Sequence, residues 1–211
     1  ACDINTWQYR EYLAMAAIAE KLGFEEDVPY FSARANTLNN HIVNFLWFDE
    51  EKTFYNVEVG SMEPRKCISF SNFIPLIENF ISPEDGSEMI RRYLLSEQHM
   101  LAPYGLRSLS ASDPDYNNKN VIIPFSNWQG PVWPIANYLY SVALVNYGFT
   151  ADATLLAAHM GKLLLNDIYA YGSMHENYHA DTGVPLAPTA EQSDNGVFTG
   201  FVGWNLLTQN M

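Results

Sequence analysis

Residues 131–168, PVWPIANYLYSVALVNYGFTADATLLAAHMGKLLLNDI, read as a helical hairpin. Pro131 opens a helix to about Tyr147, since proline's fixed φ suits a first turn where its missing N–H is no loss. Gly148 supplies the stop, and Thr150 caps a second helix that runs to about Ile168. So short a turn sets the two helices antiparallel, each with an apolar side to bury.

The same grammar recurs upstream. Ile4 to Leu22 places Trp7, Leu13, Ala17 and Ile18 at intervals of three and four, and Gly23 ends the run. Pro29 enters a second helix with Phe31, Ala35, Leu38, Ile42, Phe45 and Leu46 on one stripe. Trp47 to Val59 alternates polar and aromatic residues and predicts a short β-hairpin. Ser69 to Phe80 reads as helix disturbed by Pro75. Ser82-Pro83-Glu84-Asp85 is a capped start for a helix predicted to reach about His99. A closing helix is predicted over Gly200 to Gln209. Two long segments, Met100 to Gly130 and Tyr169 to Val197, carry turn residues and no periodicity, and a connection that long usually carries function or hides a misassigned element. Six or seven helices in antiparallel pairs predict an all-α domain, stacked as a bundle, solenoid or toroid.

Composition narrows the function. At 211 residues the chain fits one domain, and 48% hydrophobic against 17% charged residues excludes disorder. No apolar run is long enough to span a membrane. Lys and Arg number 11 against 24 Asp and Glu, a formal charge of −13 that repels phosphate backbones and argues against nucleic acid. Thirteen Tyr, 12 Phe and 5 Trp exceed the needs of a small core and suit stacking on an uncharged ring. Cys2 and Cys67 form no metal-binding pair and read as free thiols, which favours the cytoplasm. The chain opens Ala1-Cys2-Asp3 without an initiator Met or targeting leader, as a processed or excised piece would.

Three stretches carry candidate chemistry. His175-Glu176-Asn177-Tyr178-His179 fits the zinc-peptidase pattern H-E-x-x-H. That pattern needs a helix, yet Tyr171-Gly172-Ser173 and Asp181-Thr182-Gly183-Val184-Pro185 flank it with loop residues. A third ligand is also wanting: no His follows His179, and Glu191 lies only twelve residues on. Without a metal, Glu176 stands in an aromatic loop as a candidate general base, the plain alternative being a solvated loop carboxylate. Asn127-Trp128-Gln129-Gly130-Pro131-Val132-Trp133-Pro134 sets two Trp around a Gly-Pro turn. Such a turn offers an indole face and a Gln amide to a sugar, with Gly130 allowing close approach, while Trp133 reads equally as a core anchor. Trp204, beside Gly203, repeats the theme.

These stretches, in order, resemble glycoside hydrolase family 63. Trp128-Gln129-Gly130-Pro131-Val132-Trp133 with Asn137-Tyr138 resembles its W-x-G-P-V-W…N-Y segment, and Glu176-Asn177-Tyr178 with Thr182-Gly183 its E-x-Y…T-G loop. Asp3-Ile4-Asn5 with Tyr9-Arg10-Glu11-Tyr12 is similar to its D-L-N…Y-R-E-Y helix start, and Tyr104-Gly105-Leu106-Arg107-Ser108-Leu109-Ser110 with Asp113-Pro114 falls in register. Trehalases (family 37) share the layout more distantly. The resemblance implies an (α/α)6 toroid, about half of it present in residues 1–211, and inverting hydrolysis of an α-linked glucoside or mannoside without metal or cofactor. Glu176 falls on the general base; Trp128, Gln129, Gly130, Trp133, Tyr178 and Trp204 are the expected substrate contacts. The family's general acid, an Asp in a W-D-x-S-x-R segment before the D-L-N helix, has no counterpart here, and Asp3 aligns with the helix start instead. The expected partners are a small carbohydrate and the missing N-terminal half of the barrel. A non-catalytic carbohydrate-binding or assembly module is the competing expectation, and a zinc peptidase the third.

Overall fold

The computed structural model describes residues 1–119, 127–187 and 203–211. It is all-α, built around two long hairpins. Helix α1, Cys2–Leu22, ends where Gly23 turns left-handed (φ 75°) and donates its N–H to the Ala19 and Glu20 carbonyls. Helix α2, Asp27–Leu46, packs back along α1. The buried residues of α1 are Cys2, Thr6, Ala16 and Ala19, so small side chains let the helices approach. The predicted stripe of Trp7, Leu13, Ala17 and Ile18 faces outward instead. In α2, Ala35, Ile42 and Leu46 are buried as predicted, while Phe45 is half exposed.

The predicted hairpin is present but minimal: β1, Trp47–Phe48, pairs antiparallel with β2, Thr53–Phe54. Ser69 then caps α3, Phe70–Phe73, through a reciprocal box with Asn72, and Pro75 turns the chain into a 3₁₀ turn, Ile74–Ile77. Helix α4, Pro83–Met89, starts as read, its Ser82 hydroxyl accepting the Asp85 N–H at 3.1 Å. It ends earlier than predicted. A π-turn over Ile90–Leu94 closes it, and the chain doubles back so that the Met100 N–H reaches the Tyr93 carbonyl (3.2 Å) and Met100 enters the core. The first part of the long irregular segment holds a second hairpin, β3 (Leu101–Ala102) with β4 (Gly105–Leu106).

Helix α5 spans Pro134–Asn146 and α6 Thr150–Tyr171. The helix predicted from Pro131 therefore starts three residues late. Val132 is taken up in backbone pairing with both Arg107 and Tyr178, and Pro134 becomes the first-turn proline. A 3₁₀ segment, Trp204–Asn210, packs on α5 where the closing helix was predicted; Gly200 lies outside the described residues. One core runs between the hairpins, its largest wholly buried side chains including Trp133, Tyr140, Tyr178, Phe54 and Phe73. Among the described residues, no helix is long and apolar enough to cross a membrane.

Candidate active site

Antiparallel backbone pairing gathers the separate motif segments. Arg107 pairs with Val132, Val132 with Tyr178, and Tyr178 with Pro185. The Val132 N–H donates to the Tyr178 carbonyl (2.8 Å) and the Tyr178 N–H to the Val132 carbonyl (2.9 Å). That register brings Trp133, the residue after Val132, beside Asn177, the residue before Tyr178. Side chains close the same seam. Arg107, nearly buried, donates to the Glu97, His99 and Leu101 carbonyls and to the Tyr116 hydroxyl, and its Nη2 lies 3.4 Å from Asp181. A Cβ on Gly183 (φ 71°) would lie 2.4 Å from the Tyr104 ring, so glycine there lets the two loops touch.

Glu176 stands in the segment between α6 and the Gly183 turn. His175, Asn177 and Tyr178 around it are all tied down. Asp167, a buried carboxylate near the end of α6, accepts hydrogen bonds from the His175 N–H (2.8 Å), His175 Nδ1 (2.9 Å) and the Tyr178 hydroxyl (2.6 Å). Burial alone would raise the Asp167 pKa, but these donors outweigh it and hold the carboxyl below its ordinary value. The Asn177 carbonyl accepts the Leu186 N–H and its Oδ1 the Ala187 N–H (3.1 Å). The Asn177 Nδ2 is buried without a partner among the described residues.

Glu176 itself is half-buried, and its carboxylate accepts no hydrogen bond from the described residues. Partial burial without such a donor raises its pKa above 4.5. A carboxylate that is fixed through its neighbours, uncommitted and made more basic by dehydration has the character of a general base.

The predicted substrate contacts divide in two. Trp128 is half-buried and lies face to face on Trp133 (4.1 Å between rings, 14° between planes), with Phe70 at 5.2 Å. Trp204, also half-buried, sets its edge on Trp133 at 6.0 Å. Trp133 is wholly buried and donates its Nε1 proton to the Asn127 carbonyl (2.8 Å), so it backs the other two indoles. Tyr178 is wholly buried too, its hydroxyl spent on Asp167. Gly130 approaches its own chain: a Cβ there would sit 2.2 Å from the Asn117 carbonyl. The Gln129 amide oxygen accepts the Asn117 Nδ2 proton (3.2 Å). Sequence reasoning missed Asp167, eight residues before His175, and Asn117, twelve before Gln129, because each lies outside the motif that it serves.

The H-E-x-x-H reading meets a different geometry. His175 and His179 lie in the loop, His175 Nδ1 against Asp167 and His179 Nδ1 accepting the Asp181 N–H at 3.2 Å. Among the described residues, no three His, Cys, Asp or Glu side chains converge on a point where a metal would sit, and Glu191 lies outside them. Cys2 and Cys67 are free thiols, their pKa values pushed up by burial, to about 12 and about 11. An apolar hollow of about 160 Å³ lies apart from Glu176, between the β3–β4 turn and α6, lined by Leu101, Leu106, Leu155 and His159.

Comparison with known proteins places the chain. A protein named "Probable mannosyl-oligosaccharide glucosidase" from Schizosaccharomyces pombe is 22% identical over 99% of this chain and 26% of its own length. A solved structure described as a sialidase superposes with TM-score 0.76 at 18% identity, covering 98% of this chain and 19% of that one. The GH63 mannosylglycerate hydrolase from Thermus thermophilus, solved in complex with glucose, superposes with TM-score 0.67 at 20% identity over 100% of this chain and 47% of that one. The chain thus spans about a quarter of the length of that curated relative and under half of the solved hydrolase. The helical hairpins and the likeness to the GH63 hydrolase establish the fold as that of the (α/α)6 barrel enzymes. Residues 1–194 match the profile of the mannosylglycerate hydrolase MGH1-like glycoside hydrolase domain, and the chain belongs to that family.

Proposed function

We propose that the chain forms the C-terminal part of the catalytic toroid of an inverting glycosidase that cleaves α-linked glucosides or mannosides, with Glu176 as general base. The observation that carries this reading is the seam of backbone pairing that joins the Arg107, Trp128–Trp133 and Glu176–Pro185 segments, the last of which carries a half-buried carboxylate without a hydrogen-bond donor among the described residues. In such a reaction the base takes a proton from water as that water attacks the anomeric carbon, and an opposing carboxylic acid protonates the departing oxygen. The two carboxyls stand about 6.5–9.5 Å apart to admit the water. The acid is proposed to come from the part of the enzyme outside these 211 residues, in line with the share of its relatives that the chain covers.

Trp128 is the proposed platform for a sugar ring, stiffened from behind by Trp133, on which Trp204 also sets its edge. Trp133, Tyr178 and Gly130 then act by shaping the site, and Gln129 by holding the turn through Asn117. Two free thiols fit a cytoplasmic setting.

The test uses the protein encoded by the complete reading frame, screened on trehalose, kojibiose-type disaccharides and glucosylglycerate or mannosylglycerate. Glu176→Gln is expected to lower kcat by about 10²–10⁴, the usual contribution of a general base. On glucosylglycerate or mannosylglycerate, where only one sugar is released, product from the unaltered enzyme should appear first as the β-anomer by NMR. Undiminished turnover in the variant removes Glu176 from the mechanism, and a first-formed α-anomer removes inversion.

A further inference from the structure

We infer that Asp167 is a positioning residue for Glu176, an inference that rests on the reading of Glu176 as the base. Among the described residues the Asp167 carboxylate bonds only to His175 and Tyr178. It instead grips the base's neighbours on both sides: backbone and ring of His175 immediately before it, and the hydroxyl of Tyr178 two residues after. All three partners are polar hydrogens held by one carboxylate at 2.6–2.9 Å, within a helix that is itself anchored in the core through Leu163 and Leu164. Tyr178 is also locked by its backbone to Val132, so Asp167 ties α6 to the seam that carries Trp128 and Trp133.

The consequence is geometric. Between His175 and Tyr178 the chain has little freedom, because residue 175 is fixed to α6, residue 177 to the Leu186–Ala187 backbone and residue 178 to both α6 and Val132. Of residues 175–178, Glu176 alone has a side chain that takes no hydrogen bond or ion pair from the described residues, on a backbone that its neighbours hold. A base that must meet water in one orientation gains from such anchoring, since misplacement by about 1 Å can lower a rate by about 10²-fold. Charge matters as well as shape. His175 presents a backbone and a ring donor, and Tyr178 a hydroxyl donor, to an acceptor-only group; an amide at position 167 would turn an N–H toward one of them.

The experiment is a double-mutant cycle in the complete enzyme, assayed on α-glucosyl fluoride or α-mannosyl fluoride, whichever it turns over. Fluoride departs without a general acid, so the readout isolates the base. Asp167→Asn is expected to lower kcat by about 10–100-fold with KM changed less than about threefold. In a Glu176→Gln background the same change should have almost no further effect, because there is no base left to position. Tyr178→Phe, which removes one of the three donors and keeps the ring, should lower kcat by a smaller factor and again only when Glu176 is present. An equal loss from Asp167→Asn in both backgrounds, or a loss confined to KM, overturns the positioning role in favour of a purely structural one. Normal kcat for Asp167→Asn beside an inactive Glu176→Gln also overturns it while leaving the base in place. Normal kcat for Glu176→Gln would fail the base assignment itself.

Discussion

At the scale of single residues, Glu176 and Asp167 are carboxylates close in sequence whose surroundings push them in opposite directions. Burial without a donor from the described residues raises Glu176, whereas Asp167 is buried more deeply yet held low by His175 and Tyr178. The sign of each effect on pH dependence follows. Folding disfavours ionised Glu176, so that group's contribution to stability is present at low pH and is lost as pH rises through its folded pKa, above 4.5. Glu176→Gln should therefore melt at or above the temperature of the unaltered protein at pH 7, and the difference should vanish below pH 4.5. In the same pH series, the acid limb of kcat/KM should have its midpoint above 4.5; a midpoint at or below that value would mean the base is fully hydrated. Asp167 behaves the other way: its stabilisation is present above 3.8 and fades as pH falls through a still lower folded value. The E-x-Y loop singles out Glu176 from sequence. The division between Trp128 and Trp133 is not legible there, because a Trp beside Gly and Pro carries the same local pattern as a ligand platform or a core anchor. What separates the two is burial: Trp133 lies wholly inside with its Nε1–H donated to the Asn127 carbonyl, and Trp128, stacked on it, is half-buried.

At the scale of elements, the glycines and prolines are the reliable marks. Gly23 and Gly148 end their helices or turns where read, and Ser82-Pro83 begins α4 where read. What cannot be read is a boundary set by a distant partner. Helix α5 waits for Pro134 because Val132 is needed by Arg107 and Tyr178, segments separated from it by long stretches of chain. Helix α4 stops short because Met100 must return to the core. The Asn137-Tyr138 pair, met in sequence as part of a motif, has a structural explanation for its first member. Asn137 is buried and spans β4 and the start of α5: its Oδ1 accepts the Leu106 N–H (2.8 Å), and its Nδ2 donates to the Leu106 and Trp133 carbonyls (3.0 and 2.9 Å). Truncation strands the buried Leu106 N–H and carbonyl, while the Trp133 carbonyl keeps the Asn137 N–H (3.0 Å). Asn137→Ala is expected to lose about 2–4 kcal/mol of stability, read from the urea midpoint at unchanged slope. A loss under about 0.5 kcal/mol would show that these backbone groups find other partners.

At the scale of the whole molecule, the outward apolar face of the α1–α2 hairpin is the feature that bears on what the chain packs against. Periodicity locates an apolar stripe on α1 without saying what covers it: Ile4, Trp7, Leu13 and Ile18 are between 39% and 66% exposed, and Phe24, Tyr30 and Phe45 of the same hairpin are at least half exposed. The hairpin meets the rest of the chain through α3, the 3₁₀ turn after it and β1, with Tyr9 against Phe80 and Arg10 against Glu78 on that side. In a ring of helical hairpins each pair has a neighbour on either hand, so a second apolar face is what such a pair needs to sit between two others. The proposed remainder of the toroid is the occupant that fits this geometry. Produced alone, the 211-residue chain should therefore bind a hydrophobic dye and self-associate at micromolar concentration, because exposed patches of this kind drive association. Replacing Trp7, Leu13 and Ile18 together by Gln should abolish both effects in the isolated chain while lowering the melting temperature of the complete protein, where the same side chains would be buried. The opposite pattern, a dye-silent monomer alone and no loss of stability in the complete protein, would mean the face is solvated in the assembled ring as well, and that the hairpin closes the ring by its α3 side only.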